Sequence, residues 1–113
     1  MARILIVDDD APLRLALAEL LRDAGYQVEE ASDGRQALHV ITVSSPHLVL
    51  SDIHMPRLDG LALFHQTQAF LPPLRWILMS GTLRRPGQMP VPFLLKPFDL
   101  DVLLELVARS LAD

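Results

Sequence analysis

The sequence predicts an α/β domain built on a doubly wound, five-stranded parallel sheet, and three observations carry that prediction. Short apolar runs alternate along the chain with longer stretches of helical spacing. The runs are nearly continuous in apolar residues, as strands buried on both faces of a parallel sheet must be. Each of the four strongest runs is followed by polar residues at its carboxyl end, where open α/β sheets bind ligands.

The elements follow in order. Ile4 to Val7 is the first strand. Asp10 is placed to cap a helix with Pro12 in its first turn, apolar at Leu13, Leu17, Leu20, Leu21 and Ala24, and Gly25 is placed to end it. Val28 to Ala31 is a weaker strand, followed by a helix through Ala37, Leu38 and Ile41. Leu48 to Leu50 leads into a helix through Leu61, Phe64 and Ala69. Trp76 to Met79 and Phe93 to Leu95 complete the sheet, and Leu100, Leu103, Leu104, Val107 and Leu111 mark a last helix that Asp99 would cap. Strict strand-helix alternation with right-handed crossovers puts helices on both faces of the sheet.

One stretch breaks the alternation. Thr82 to Pro92 holds three prolines and a glycine with no apolar residues at helical spacing. Proline inside a helix costs about 3 kcal/mol, so at most a short turn is expected there. Pro92 is compatible with Phe93 to Leu95 if that strand starts there or lies at the sheet edge.

Composition narrows the function. The 113 residues, half of them hydrophobic, suit one compact domain over 1–113 without staples. The lack of cysteine excludes disulfides, zinc-finger spacing and a thiol nucleophile, and fits the cytoplasm. The apolar start, Ile4 to Val7, is too short for a signal-peptide core or a membrane span. A formal charge of −4 argues against direct nucleic-acid binding. Nine of the ten basic residues are arginine, so the one lysine, Lys96, stands out as a compact ammonium.

The first apolar run ends in Asp8-Asp9-Asp10, the third in Ser51-Asp52, the fourth in Ser80-Gly81 and the fifth in Lys96-Pro97. If the sheet forms, carboxylates, a hydroxyl and an ammonium converge at one edge. Crowded carboxylates must raise a pKa or recruit a cation. Oxygen-only ligands with room for water suit magnesium better than zinc or calcium. One carboxylate would then attack phosphorus while the metal and Lys96 neutralise charge, and Ser80 would hydrogen-bond the new phosphoryl oxygens. Singly, each residue has an ordinary role as well: Asp10 as a cap, Ser80-Gly81 as a turn, Lys96 as surface charge. Their joint placement carries the argument.

These segments resemble the receiver domains of bacterial response regulators. RILIVDDDAPLR resembles the family's first strand and acidic pair, LVLSDIHMPRLDG its phosphoacceptor strand and loop, and LMSG and FLLKPF its last two strands. The resemblance spans essentially the whole chain and implies a flavodoxin-like sheet of order 2-1-3-4-5. It makes Asp52 the phosphoacceptor, with Mg2+ held by Asp9, Asp52 and the backbone carbonyl of His54, and with Asp8 acting largely through water. Ser80 becomes the switch hydroxyl, Lys96 the phosphoryl-stabilising lysine, and Phe93 the residue that turns inward, although an apolar strand residue is more often plain core. His54 and Thr82 fall at positions that tune phosphoryl lifetime, and Lys96-Pro97 where a cis peptide is usual.

The segment from Ser80 to Lys96 is shorter than the family's by about six residues, roughly a turn and a half of helix. The family's fourth helix is therefore expected to be shortened or missing. With the fifth strand and fifth helix it forms the surface through which receivers self-associate or meet an effector. Arg84 and Arg85 stand in this altered loop and are expected to be solvated charge, with contact to a partner as the alternative.

The leading expectation is a phosphorylation-dependent switch that catalyses only its own modification, served by a sensor histidine kinase or phosphotransfer protein, with no output domain in these residues. A second is a receiver-like interaction module that binds partners regardless of phosphate. A third, a phosphohydrolase, lacks the acid/base aspartate expected where His54 stands, and a cap domain.

Overall fold

The computed structural model describes residues 1–69, 74–82 and 89–112. In chain order it contains β1 (Arg3–Val7), α1 (Ala11–Asp23), β2 (Gln27–Ala31), α2 (Gly34–Ser44), β3 (Leu48–Asp52), α3 (Gly60–Gln66), β4 (Arg75–Ser80), β5 (Phe93–Leu95) and α4 (Leu100–Leu111). The strands form one parallel sheet of order β2-β1-β3-β4-β5.

Alternate side chains of the central strands feed two separate cores, as a strand's two-residue period dictates. Ile4, Ile6, Leu48, Leu50, Ile77 and Met79 pack with Leu17, Ala18 and Leu21 of α1 and Leu103 and Val107 of α4. On the other face Leu5, Val7, Val49, Trp76 and Leu78 pack with Ala37 and Ile41 of α2 and Leu63 and Phe64 of α3. Each fully buried aliphatic side chain contributes roughly 1.5–3 kcal/mol, so a sheet covered on both sides gains from every residue of a run. β3 is buried at all five positions, whereas the edge strand β5 is buried only at Leu94.

The expected punctuation is present. Asp10 caps α1 by accepting the Leu13 N–H at 3.3 Å. Gly25, at φ +99°, ends the helix in a left-handed conformation that favours glycine. Asp33, Asp59 and Asp99 cap α2, α3 and α4. β5 begins after Pro92, whose carbonyl accepts the Leu78 N–H at 2.9 Å.

Three apolar assignments are corrected. Leu100 is half exposed because it opens α4 at the sheet's rim. Ala24, the C-cap of α1, is exposed, and in α3 Ala69 lies beyond the helix and is exposed, while Leu61 is half buried against the core that Leu63 enters. A seven-residue helix presents barely two turns, so the way it docks decides its buried face.

Among the described residues no helix lies between β4 and β5; the expectations for residues 83–88, Arg84 and Arg85 included, fall outside the described residues. Nor, among the described residues, is any helix long and apolar enough to cross a membrane.

Candidate functional site

The strand order reverses direction at β1, so α1 and α3 depart from the carboxyl ends of β1 and β3 to opposite faces and leave a crevice there. Asp8 and Asp9 follow β1, and Asp52 is the last residue of β3. One carboxylate oxygen from each of Asp8, Asp9 and Asp52 lies within 4.8 Å of the others. Asp8 is fully buried, Asp52 nearly so and Asp9 exposed, so the group opens to solvent on one side.

Lys96 closes the other side. Its Nζ donates to Asp8 Oδ2 at 2.8 Å and stands 3.5 Å from Asp52 Oδ1. The lysine is aimed by its backbone, whose N–H donates to the Ser80 carbonyl at 2.8 Å, and the Lys96–Pro97 peptide is cis. Asp8 is held further by the Asp10 N–H, which donates to its Oδ1 at 2.9 Å.

Burial pushes the Asp52 carboxyl above its ordinary range; Lys96 pulls it down, while Asp8 and Asp9 add to the rise. For Lys96, burial disfavours the ammonium, but its bond to Asp8 and the charges of Asp8 and Asp52 outweigh that and raise its pKa. The ammonium is thus secure, and Asp8 and Asp52 share it, while Asp9 completes the acidic group. Such a set of hard oxygen donors, with one partner exposed and no histidine or cysteine among them, fits a magnesium ion that retains water.

Other expected residues lie around this group. Ser80 is fully buried, one residue beyond the Met79 that pairs with Asp52, and its Oγ accepts the Thr82 N–H at 3.0 Å. Thr82 and His54 are exposed, and the half-buried Phe93 packs against the core shared with α2 and α3. The structure therefore brings Asp8, Asp9, Asp52 and Lys96 together, sets Ser80 on the neighbouring strand end, and leaves Phe93, His54 and Thr82 at the periphery.

The sequence reading missed Arg14. Its Nη1 donates to the Asp8 carbonyl at 2.8 Å and its Nε to Glu30 Oε1 at 3.1 Å, so it ties the end of β1 to β2. The signal was a cation in the first turn of α1, where the helix dipole disfavours one.

A family model described as the response regulator receiver domain matches residues 4–108. The chain is 35% identical over 113 residues to the DNA-binding transcriptional regulator NtrC of Klebsiella pneumoniae, covering 95% of this chain but 24% of that protein. It is 31% identical over 115 residues to sporulation initiation phosphotransferase F of Bacillus subtilis, covering 96% of this chain and 93% of that one. Among solved structures, the response regulator TrrA of Thermotoga maritima, in complex with Mg2+ and BeF, superposes with a TM-score of 0.88 at 29% identity, covering 97% of this chain and 99% of that one.

Proposed function

Because this chain belongs to the response regulator receiver domain family of two-component signalling, we propose that Asp52 is its phosphoacceptor and that Asp8, Asp9, Ser80 and Lys96 serve that residue. The observation that carries the reading is the grouping of three carboxylates within 4.8 Å, with the Lys96 ammonium 2.8 Å from Asp8 and 3.5 Å from Asp52. Sporulation initiation phosphotransferase F, a relative of nearly the same length, supports it by its name. The Mg2+–BeF complex of TrrA supports the cation.

Asp9, Asp52 and the His54 backbone carbonyl would hold magnesium, with Asp8 acting largely through water. When bound, the ion supplies positive charge that lets an anionic phosphoryl group approach an acidic pocket. Asp52 supplies the attacking oxygen, and Lys96 favours its ionised form against the larger pull of burial. That oxygen forms the new O–P bond as the donor's P–N or P–O bond breaks, and the leaving group keeps the electron pair. Lys96 then balances the charge gained at position 52, and the Ser80 hydroxyl, released from the Thr82 N–H, donates to a phosphoryl oxygen. Phe93 follows that hydroxyl inward, and His54 and Thr82 tune the lifetime of the acyl phosphate.

Receiver domains exchange phosphoryl groups with histidine kinases or phosphotransfer proteins, and for this chain we read such a partner, a cytoplasmic location and one receiver domain over 1–113. Its effector, or a second copy, would meet the surface of β5 and α4. Residues 1–113 spend their catalysis on their own modification and turn over no separate substrate. A second reading, a module that binds partners regardless of phosphate, draws support from the sequence of the β4–β5 connection, where Thr82 to Pro92 holds three prolines and a glycine.

Incubation with a small acyl phosphate and Mg2+ separates these readings by intact mass. The wild-type chain should gain one acid-labile phosphoryl group and Asp52→Asn none. A wild type that takes up nothing supports the interaction module instead.

A further inference from the structure

The segment joining β3 to α3, which carries His54, is pressed against the start of α2. A Cβ built on Gly34, the first residue of α2, would overlap the backbone carbonyl oxygen and the Cβ of Leu58. Only glycine fits there. Beside it, Asp33 Oδ2 accepts from Arg57 Nη1 at 2.8 Å, while Asp33 Oδ1 accepts the Gln36 N–H at 2.9 Å and caps α2. One carboxylate thus holds both the helix and the segment. Arg57 itself sits at φ +70°, a left-handed conformation that a non-glycine residue keeps only where its surroundings impose it.

The segment's far end is fixed as tightly. A Cβ on Gly60 would overlap the Asp52 carbonyl oxygen, and the Gly60 N–H donates to the Ile53 carbonyl at 2.8 Å. Met55 and Leu58, half buried, pack against the core shared by α2 and α3. Residues 53–60 are therefore pinned between the strand that ends in Asp52 and the first turn of α2.

We propose that Asp33 and Gly34 are positioning residues for phosphoryl acceptance: the first turn of α2 fixes where residues 53–58 lie, and so where the His54 carbonyl stands relative to Asp52. The inference rests on the reading of Asp52 as phosphoacceptor. Neither residue touches the reacting atoms; both act through the backbone they hold.

The test is Mg2+ titration of the full chain by calorimetry, well below every variant's melting temperature, with the rate of phosphoryl uptake from a small acyl phosphate measured in parallel. Displacing a group that supports a metal's ligands commonly weakens binding about 10–100-fold, and Gly34→Ala should fall in that range. Asp33→Asn keeps a capping side chain but drops the charge that holds Arg57, and should weaken Mg2+ by roughly threefold. Ile41→Val, a core change on the same helix, should lower the melting temperature while leaving Mg2+ binding as in the wild type.

Weaker Mg2+ binding in Gly34→Ala and Asp33→Asn, but not in Ile41→Val, is the expected result. Wild-type Mg2+ affinity in Asp33→Asn and in any Gly34→Ala that folds, whatever their melting temperatures, overturns the inference alone. A wild-type chain that neither binds Mg2+ nor accepts phosphoryl overturns the proposed function and this inference with it.

Discussion

Between β1 and β3 the carboxyl edge of the sheet is held from several directions: Arg14 grips the Asp8 carbonyl, the Asp10 N–H and Lys96 grip its carboxylate, and Gly60 abuts Asp52. Between β4 and β5 the same edge rests on a three-residue strand, partly exposed, and on the Ser80 hydroxyl, which accepts the Thr82 N–H. The side that must hold carboxylates against mutual repulsion is braced. On the proposed reading, the side where the Ser80 hydroxyl changes partners is the less braced of the two, as elements that move in a switch have to be.

Core truncations should expose this difference most strongly. Leu50→Ala, in the fully buried centre of β3, should cost about 4 kcal/mol, and Leu94→Ala, on edge strand β5, about 2 kcal/mol, by chemical denaturation. Equal losses would show that the β5 edge is packed as firmly as the centre and would break the contrast.

Removing the shared ammonium comes next in size. Lys96→Met leaves Asp8 buried without its charged partner and should cost about 2 kcal/mol at neutral pH. Because Lys96 opposes the rise at Asp52, the variant's loss should shrink in acid, as Asp52 protonates, and in Mg2+, which replaces the missing charge. A loss independent of both pH and Mg2+ would place the lysine's contribution in packing.

The smallest effect sets two aspartates in opposition. Burial raises Asp52, so its stabilising contribution is full below the unfolded value of 3.8 and is lost as pH rises through the folded pKa; Asp52→Asn should therefore gain stability over wild type as pH rises. Asp33 is lowered, chiefly by the Gln36 N–H and then by Arg57, so its contribution is present above 3.8 and is lost as pH falls through the folded pKa. Asp33→Ala should cost about 1 kcal/mol at neutral pH, the usual loss of a helix cap, and less in acid. Parallel pH profiles for the two variants would contradict this assignment of forces.

Much of this was legible in the sequence because parallel strands buried on both faces need continuous apolar runs, and Ile4 to Val7 and Leu48 to Leu50 supply them. The strand ends were read short because pairing runs on into polar residues: Ser51 and Asp52 remain in the ladder with Leu78 and Met79. Asp8, Asp9, Asp52 and Lys96 were legible as strand-end residues once the sheet was granted. Arg14 on Asp8 and Asp33 on Arg57 were not, since both depend on how elements distant in sequence dock, which no local pattern encodes. The same reason hid Leu63, whose burial follows from the seating of α3 on the sheet.

Asp52 stands beside two other carboxylates, so the most direct test is one that tells them apart. Acyl phosphate formed with a small phosphodonor and Mg2+ can be reduced with borohydride, which converts the modified aspartate alone to homoserine, and the site read by peptide sequencing. The account predicts homoserine at position 52, and unmodified aspartate at positions 8 and 9. Reduction at Asp8 or Asp9, or at none of the three, would contradict it.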